Sequence, residues 1–139
     1  MNTAPVDAYF QALSNKDNQG IIPHLSEQII LLGPIFPEPT EGKDAVVQVL
    51  SGFLATIDTL EVNLRFASGQ DVAVFFTFSC NGITVQGNEH LHLDENGLID
   101  RIEVAWRPLP SAVLIQEIFA AKMGFQAMRL VLAEGVAQP

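Results

Sequence analysis

Gln86-Gly87-Asn88-Glu89-His90-Leu91-His92-Leu93-Asp94-Glu95-Asn96-Gly97-Leu98-Ile99 reads as strand, turn, strand. Neighbouring side chains on a strand point to opposite faces. Gly87, Glu89, Leu91 and Leu93 therefore share one face, and Asn88, His90, His92 and Asp94 share the other. The apolar face carries a lone carboxylate, Glu89, which is costly there unless it is paired, neutralised or set against a wet cavity. Outward from this stretch, Ser68-Gly69-Gln70-Asp71, Asn81-Gly82 and Glu95-Asn96-Gly97 are turn signals. They separate four strands, Leu60–Ser68, Asp71–Cys80, Ile83–Asp94 and Leu98–Arg107, and predict an antiparallel meander.

Upstream, Thr3 is placed to cap a helix bearing Val6, Tyr9, Phe10 and Leu13 at helical spacing, with Asp7 near its positive end. Ile21 to Leu25 reads as a short turn of helix. Gln28-Ile29-Ile30-Leu31-Leu32-Gly33 has the length and apolarity of a buried strand. Pro34-Ile35-Phe36-Pro37-Glu38-Pro39-Thr40 is an irregular loop with an apolar tip, because three prolines remove donors and fix backbone angles. Gly42-Lys43-Asp44 opens a second long helix with Val46, Val47, Leu50, Phe53, Leu54 and Ile57 on one face. Helices first and strands later indicate an α+β fold. Pro108-Leu109-Pro110 stops the last strand, and Ser111 is placed to cap a helical segment running towards Leu132. Lys122, Gln126 and Arg129 form its polar stripe, and Gly124 is a dividing point. The expected division is a domain over residues 1–110 and a C-terminal helical extension over 111–139. The extension would pack on the same domain or on a partner subunit.

The chain has 139 residues, 48% of them hydrophobic and 17% charged, with a formal net charge of −9. That describes a folded domain with its own core. Nucleic acid calls for a basic stripe, and none is present. An anionic membrane surface is excluded on the same ground. The apolar tract Ala112–Ala133 is interrupted by Gln116, Glu117, Lys122, Gln126 and Arg129, too polar for a membrane span. A single cysteine, Cys80, and a start without a secretory pattern point to the cytoplasm.

The front stretch Tyr9-Phe10-Gln11-Ala12-Leu13-Ser14-Asn15-Lys16-Asp17, the helix entry Gly42-Lys43-Asp44-Ala45, and Glu89-His90-Leu91 leading to Asn96-Gly97 occur in a telling order. Over about residues 4 to 107 the chain resembles the nuclear transport factor 2-like superfamily. Within it, the likeness is to the group of ketosteroid isomerase and the SnoaL-type polyketide cyclases. The resemblance implies a cone: a curved, mostly antiparallel sheet wrapped around the long helix, with an apolar cavity at the open end. It puts Tyr9 on the cavity wall as an oxyanion donor and Trp106 as an aromatic wall residue. Glu89 takes the place of a carboxylic acid kept neutral by its apolar site so that it donates a hydrogen bond. The isomerase's general base falls at Gly33, with no carboxylate between Gln28 and Pro37 and Glu38 the nearest alternative.

The expected site therefore has Tyr9 and Glu89 as catalytic or ligand-contacting groups, with Leu31, Phe36, Phe53, Ile57, Leu91, Val104 and Trp106 lining the pocket. Glu89 neutral at pH 7 asks for a pKa raised by about 3 units, roughly 4 kcal/mol in favour of the protonated form. His90 and His92 have a metal-compatible spacing but lie on the outer face, so no metal is expected. Cys80 reads as an inert buried thiol. The functional expectation is a homodimeric small-molecule pocket protein for an apolar, oxygen-bearing ligand. Its enzyme version is a cofactor-independent isomerase, cyclase or dehydratase. The alternative is a non-catalytic interaction scaffold with a closed cavity.

Overall fold

The computed structural model describes residues 3–134. Val6, Tyr9, Phe10, Ala12 and Leu13 are buried along one side of the first helix, α1 (Ala4–Ser14). The Thr3 side chain does not cap it. Its hydroxyl instead accepts a hydrogen bond from Arg65 at 2.8 Å, tying the helix start to the sheet. A short helix α2 (Asn18–Ile21) and a 3-10 turn (Ile22–His24) lead into strand β1 (Leu25–Leu32). Inside the proline loop's far end lies a two-residue strand, β2 (Thr40–Glu41), which alternation alone does not reveal. The long helix α3 (Lys43–Thr56) follows, then strands β3 (Thr59–Ser68), β4 (Asp71–Cys80), β5 (Ile83–Leu93) and β6 (Ile99–Arg107). The final helix is α4 (Leu109–Met123).

One sheet holds all six strands in the order β2-β1-β6-β5-β4-β3. Every neighbouring pair is antiparallel except β1 with β6, where Leu31 lies opposite Ile102 in a parallel ladder. The fold is the expected α+β cone, with the helices against its inner face. Alternation does its work on β4 and β5, where Val72, Val74, Phe76, Phe78 and Cys80 face inward with Val85, Gly87, Glu89, Leu91 and Leu93. On the β5–β6 turn the Asp94 carboxylate accepts from the backbone N–H groups of Asn96 and Leu98. That fixes the reversal the Asn-Gly pair announced.

Two departures from the periodic reading have physical causes. On β3 the ladder slips between Val62 and Leu64, where Asn63 is an extra residue. Leu60 and Val62 face the core, but Leu64 lies opposite Phe75 and Phe66 opposite Ala73, on the outer face. Leu64, Phe66 and Phe75 are consequently 51%, 60% and 39% exposed. At the other end, α4 starts at Leu109 instead of after Ser111, because Pro110 is tolerated in a helix's first turn. It ends at Gly124, whose φ of 80° is left-handed, so residues 125–134 are not helical as the sequence pattern suggests. The remainder of the expected extension, residues 135–139, lies outside the described residues. Among the described residues, no helix is long and apolar enough to cross a membrane.

Gly87 is the close approach that holds the inner face together. It sits between Phe76 on β4 and Trp106 on β6 in register. A Cβ there would run into the Phe76 ring. The Gly87→Ala variant should lose roughly 1–3 kcal/mol of stability. Urea unfolding checks this, and an unchanged midpoint would show that the ring has room to turn.

Candidate functional site

Between α3, α4 and the inner face of the sheet lies a cavity of about 60 Å³. Its wall is built from Leu13 of α1, Leu31 and Gly33 at the end of β1, the Pro34–Phe36 loop tip, and Val49, Leu50 and Phe53 of α3. Leu60, Phe76, Glu89, Val104 and Trp106 form the sheet side, and Phe119 and Met123 of α4 close it. Six expected residues meet here: Glu89, Leu31, Phe36, Phe53, Val104 and Trp106. Phe53, Phe78 and Phe119 surround the Trp106 ring at centroid distances of 6.1, 5.0 and 6.0 Å.

Three expected residues do not meet there. Tyr9 is fully buried, edge-on to Phe10 at 5.2 Å, behind the wall instead of on it. The cavity meets α1 at Leu13, one helical turn further along. Leu91 lies two residues past Glu89 on the same face, about 7 Å down the strand, and packs between Val72 and Ile102 in solid core. Ile57 is likewise in the packed core just after α3, and its carbonyl accepts from Lys16 at 2.7 Å.

Among the described residues, Glu89 is the single ionisable side chain on the cavity wall. It is 6% exposed, and burial pushes its carboxyl pKa up to about 8. No neighbouring charge contributes to that shift, which is the signature of desolvation. The carboxyl is therefore protonated at pH 7 and available as a hydrogen-bond donor. Burial also raises the Tyr9 phenol well above its ordinary value, and the charge Glu89 carries when ionised adds to the effect. The two groups thus share one low-dielectric interior. The Tyr9 hydroxyl and the Trp106 indole Nε1–H are both buried without a hydrogen-bond partner. Buried polar groups without a protein partner are rare, and a water or ligand in the interior is one way to satisfy them.

Glu38 lies exposed in the proline loop and Gly33 contributes only backbone, so among the described residues no second carboxylate lines the cavity. On the outer face, His90 is held between Asp71 at 2.8 Å and Glu103 at 3.2 Å, and Arg101 bonds Glu103 in turn. Hydrogen bonds from the His90 ring to those two carboxylates raise its pKa. His92 bonds Asp100 at 2.7 Å. Both rings are engaged by carboxylates, and no group of three or more potential ligands among the described residues could hold a metal ion. Cys80 is buried with its thiol directed at the Thr56 carbonyl, and burial first, then Asp58, raises its pKa.

Residues 6–102 match the family model of the SnoaL-like domain. None of the curated proteins matches the chain. Among solved structures, a steroid delta-isomerase from Pseudomonas aeruginosa is similar, with a TM-score of 0.80 and 20% identity over 87% of this chain and 90% of that one. A conserved bacterial protein with a cystatin-like fold, from Silicibacter pomeroyi, gives a TM-score of 0.82 and 20% identity, covering 88% and 86%. The epoxide hydrolase/cyclase-like enzyme SalBIII of pyran ring formation in salinomycin gives 0.65 and 22% identity, covering 75% and 88%. At such identities the likeness is one of fold.

The unpaired acid has a thermodynamic consequence. From the ordinary value of 4.5 to about 8, the unfolded chain gives up the Glu89 proton while the folded chain keeps it. Stability therefore falls as pH rises through that window, by about tenfold in the unfolding constant per pH unit, and levels off above it. Glu89→Gln should remove this slope and be more stable than the parent at pH 9. Parallel pH series of chemical denaturation that superimpose for the two proteins would contradict it.

Proposed function

The chain belongs to the SnoaL-like domain family, and within it we propose that this protein binds a small, apolar, oxygen-bearing molecule, with protonated Glu89 donating a hydrogen bond to the ligand's oxygen. The observation that carries this reading is a carboxyl without a charged partner on an otherwise apolar cavity wall. Core packing alone would not retain it, because an apolar side chain of similar size avoids the desolvation cost. A dry donor aimed at an oxygen is also the arrangement that stabilises an enolate-like intermediate. The enzyme version of the proposal is therefore a cofactor-independent isomerase, cyclase or dehydratase. In it Glu89 supplies the proton, while Tyr9, behind the wall, sets the polarity of the acid's surroundings. With no second carboxylate in the lining, a base would be Glu89 itself after proton transfer, or water.

Binding should track the protonation of the acid. With cyclohexanone as the probe and NMR shifts of the Trp106 indole N–H as readout, affinity should be highest near pH 6. It should fall at least tenfold by pH 9, as Glu89 ionises and ceases to donate. Glu89→Gln, which keeps a donor, should bind with no such pH dependence. Absence of binding by the parent at any pH would overturn the pocket reading in favour of the interaction scaffold.

For the assembly we propose a homodimer through the outer face of the sheet. Leu64, Phe66 and Phe75 project there, and Phe66 and Phe75 meet edge-on at 6.4 Å. An edge strand with exposed apolar side chains invites pairing. In sedimentation velocity the parent should run as a dimer and Phe66→Asp as a monomer. A monomeric parent would end this proposal.

A further inference from the structure

The cavity is smaller than the ligands its wall chemistry invites. About 60 Å³ falls well short of the roughly 150 Å³ that accepts a benzene-sized molecule. Just outside it lies a groove of about 530 Å³, lined by Pro37, Gln116, Gln126, Ala127 and Met128. Pro34, Ile35 and Phe36 line both spaces, so this loop tip is the partition between them.

Two contacts hold the partition in place. Gln116, 3% exposed on the otherwise apolar α4, donates its amide N–H to the Ile35 carbonyl at 3.3 Å. Its amide oxygen accepts from the Met128 backbone N–H at 2.6 Å. One buried side chain thus ties the loop tip to the chain that follows α4. Phe125 completes the clasp, packing edge-on against Phe36 at 4.8 Å. A buried glutamine with both ends of its amide engaged gives the closed arrangement a defined geometry that apolar packing alone does not. The tip lies outside the sheet, in the loop between the end of β1 and β2.

We propose that the Pro34–Phe36 tip is a gate between the outer groove and the inner cavity, latched by Gln116 and Phe125, and that it passes neutral molecules but not anions. Phe36 lines both spaces, Phe119 and Met123 line the cavity, and among the described residues no cation stands on either lining. An anion crossing it would be stripped of water with no positive charge to compensate. With the gate open, groove and cavity join into a space of the size typical of small-molecule sites. The gate serves the pocket proposed above, but its operation is measurable with no ligand bound.

Trp106 is the sole tryptophan of the chain and lines the cavity, so its fluorescence reports entry. Acrylamide is a neutral quencher and iodide an anionic one. Gln116→Met keeps the side chain's bulk and removes both hydrogen bonds, while Phe125→Ala removes the half-buried ring. Either variant should raise the acrylamide quenching constant at least threefold and leave iodide quenching at the parent's value. Far-UV circular dichroism identifies any variant that has unfolded, and the other then decides. Parent-like acrylamide quenching in the folded variants overturns the gate. Iodide quenching that rises in step with acrylamide overturns its selectivity. A gate that opens in these assays while cyclohexanone fails to bind would refute the pocket reading and leave the gate standing.

Discussion

The Glu89 carboxyl is buried on the apolar face of a sheet with no charged partner, and the rest of the site is arranged around that cost. In water the group would ionise near its ordinary value. Inside the cone it holds its proton to about pH 8, because burial in a largely apolar wall penalises the charged form. The same surroundings keep the Tyr9 phenol neutral. An interior that suppresses charge is also one in which a hydrogen bond is strong. The property that makes the acid expensive to keep is therefore the property that makes it a useful donor.

Two residues before Glu89, the same strand face is shaped by a close approach. Gly87 gives the Phe76 ring a place to lie across the strand, with Trp106 on the other side. The wall is thus broad and aromatic, and it is closed from the helix side by Phe53 and Phe119. Those rings belong to a rigid sheet and two helices. The loop tip and the chain after α4 lie outside those elements and are tied to each other through Gln116 and Phe125.

Much of this was legible in the letters. Strict alternation from Gly87 to Leu93 shows that Glu89 points inward, and the Asn-Gly turns show how the strands return. The pocket's depth along each element was not legible. Periodicity assigns Tyr9 and Leu13 to one helix face without saying which of them the cavity reaches, and it treats Leu91 like Glu89. On β3, Leu60, Val62, Leu64 and Phe66 keep an unbroken period of two, which hides the bulge at Asn63 that turns the last two outward. Helical spacing likewise runs through Gly124 to Leu132, although a left-handed residue ends the helix there. Gln116 left one signal: a polar residue among Leu114, Ile115, Ile118 and Phe119, on a helix apolar nearly all round. Its two partners, Ile35 and Met128, are tertiary facts that no local pattern contains.

The parallel pairing of β1 with β6 bears on how the chain assembles. The four later strands are joined by tight turns and can zip up from neighbouring hairpins, each contact spanning few residues. β1 has no such option, since its main partner is β6, the last strand among the described residues. During synthesis Ile29 and Leu31 must wait, with only the stub of β2 alongside, until β6 has emerged. For that interval a strongly apolar strand has an open edge, and the nascent chain is most vulnerable there to pairing with the wrong neighbour.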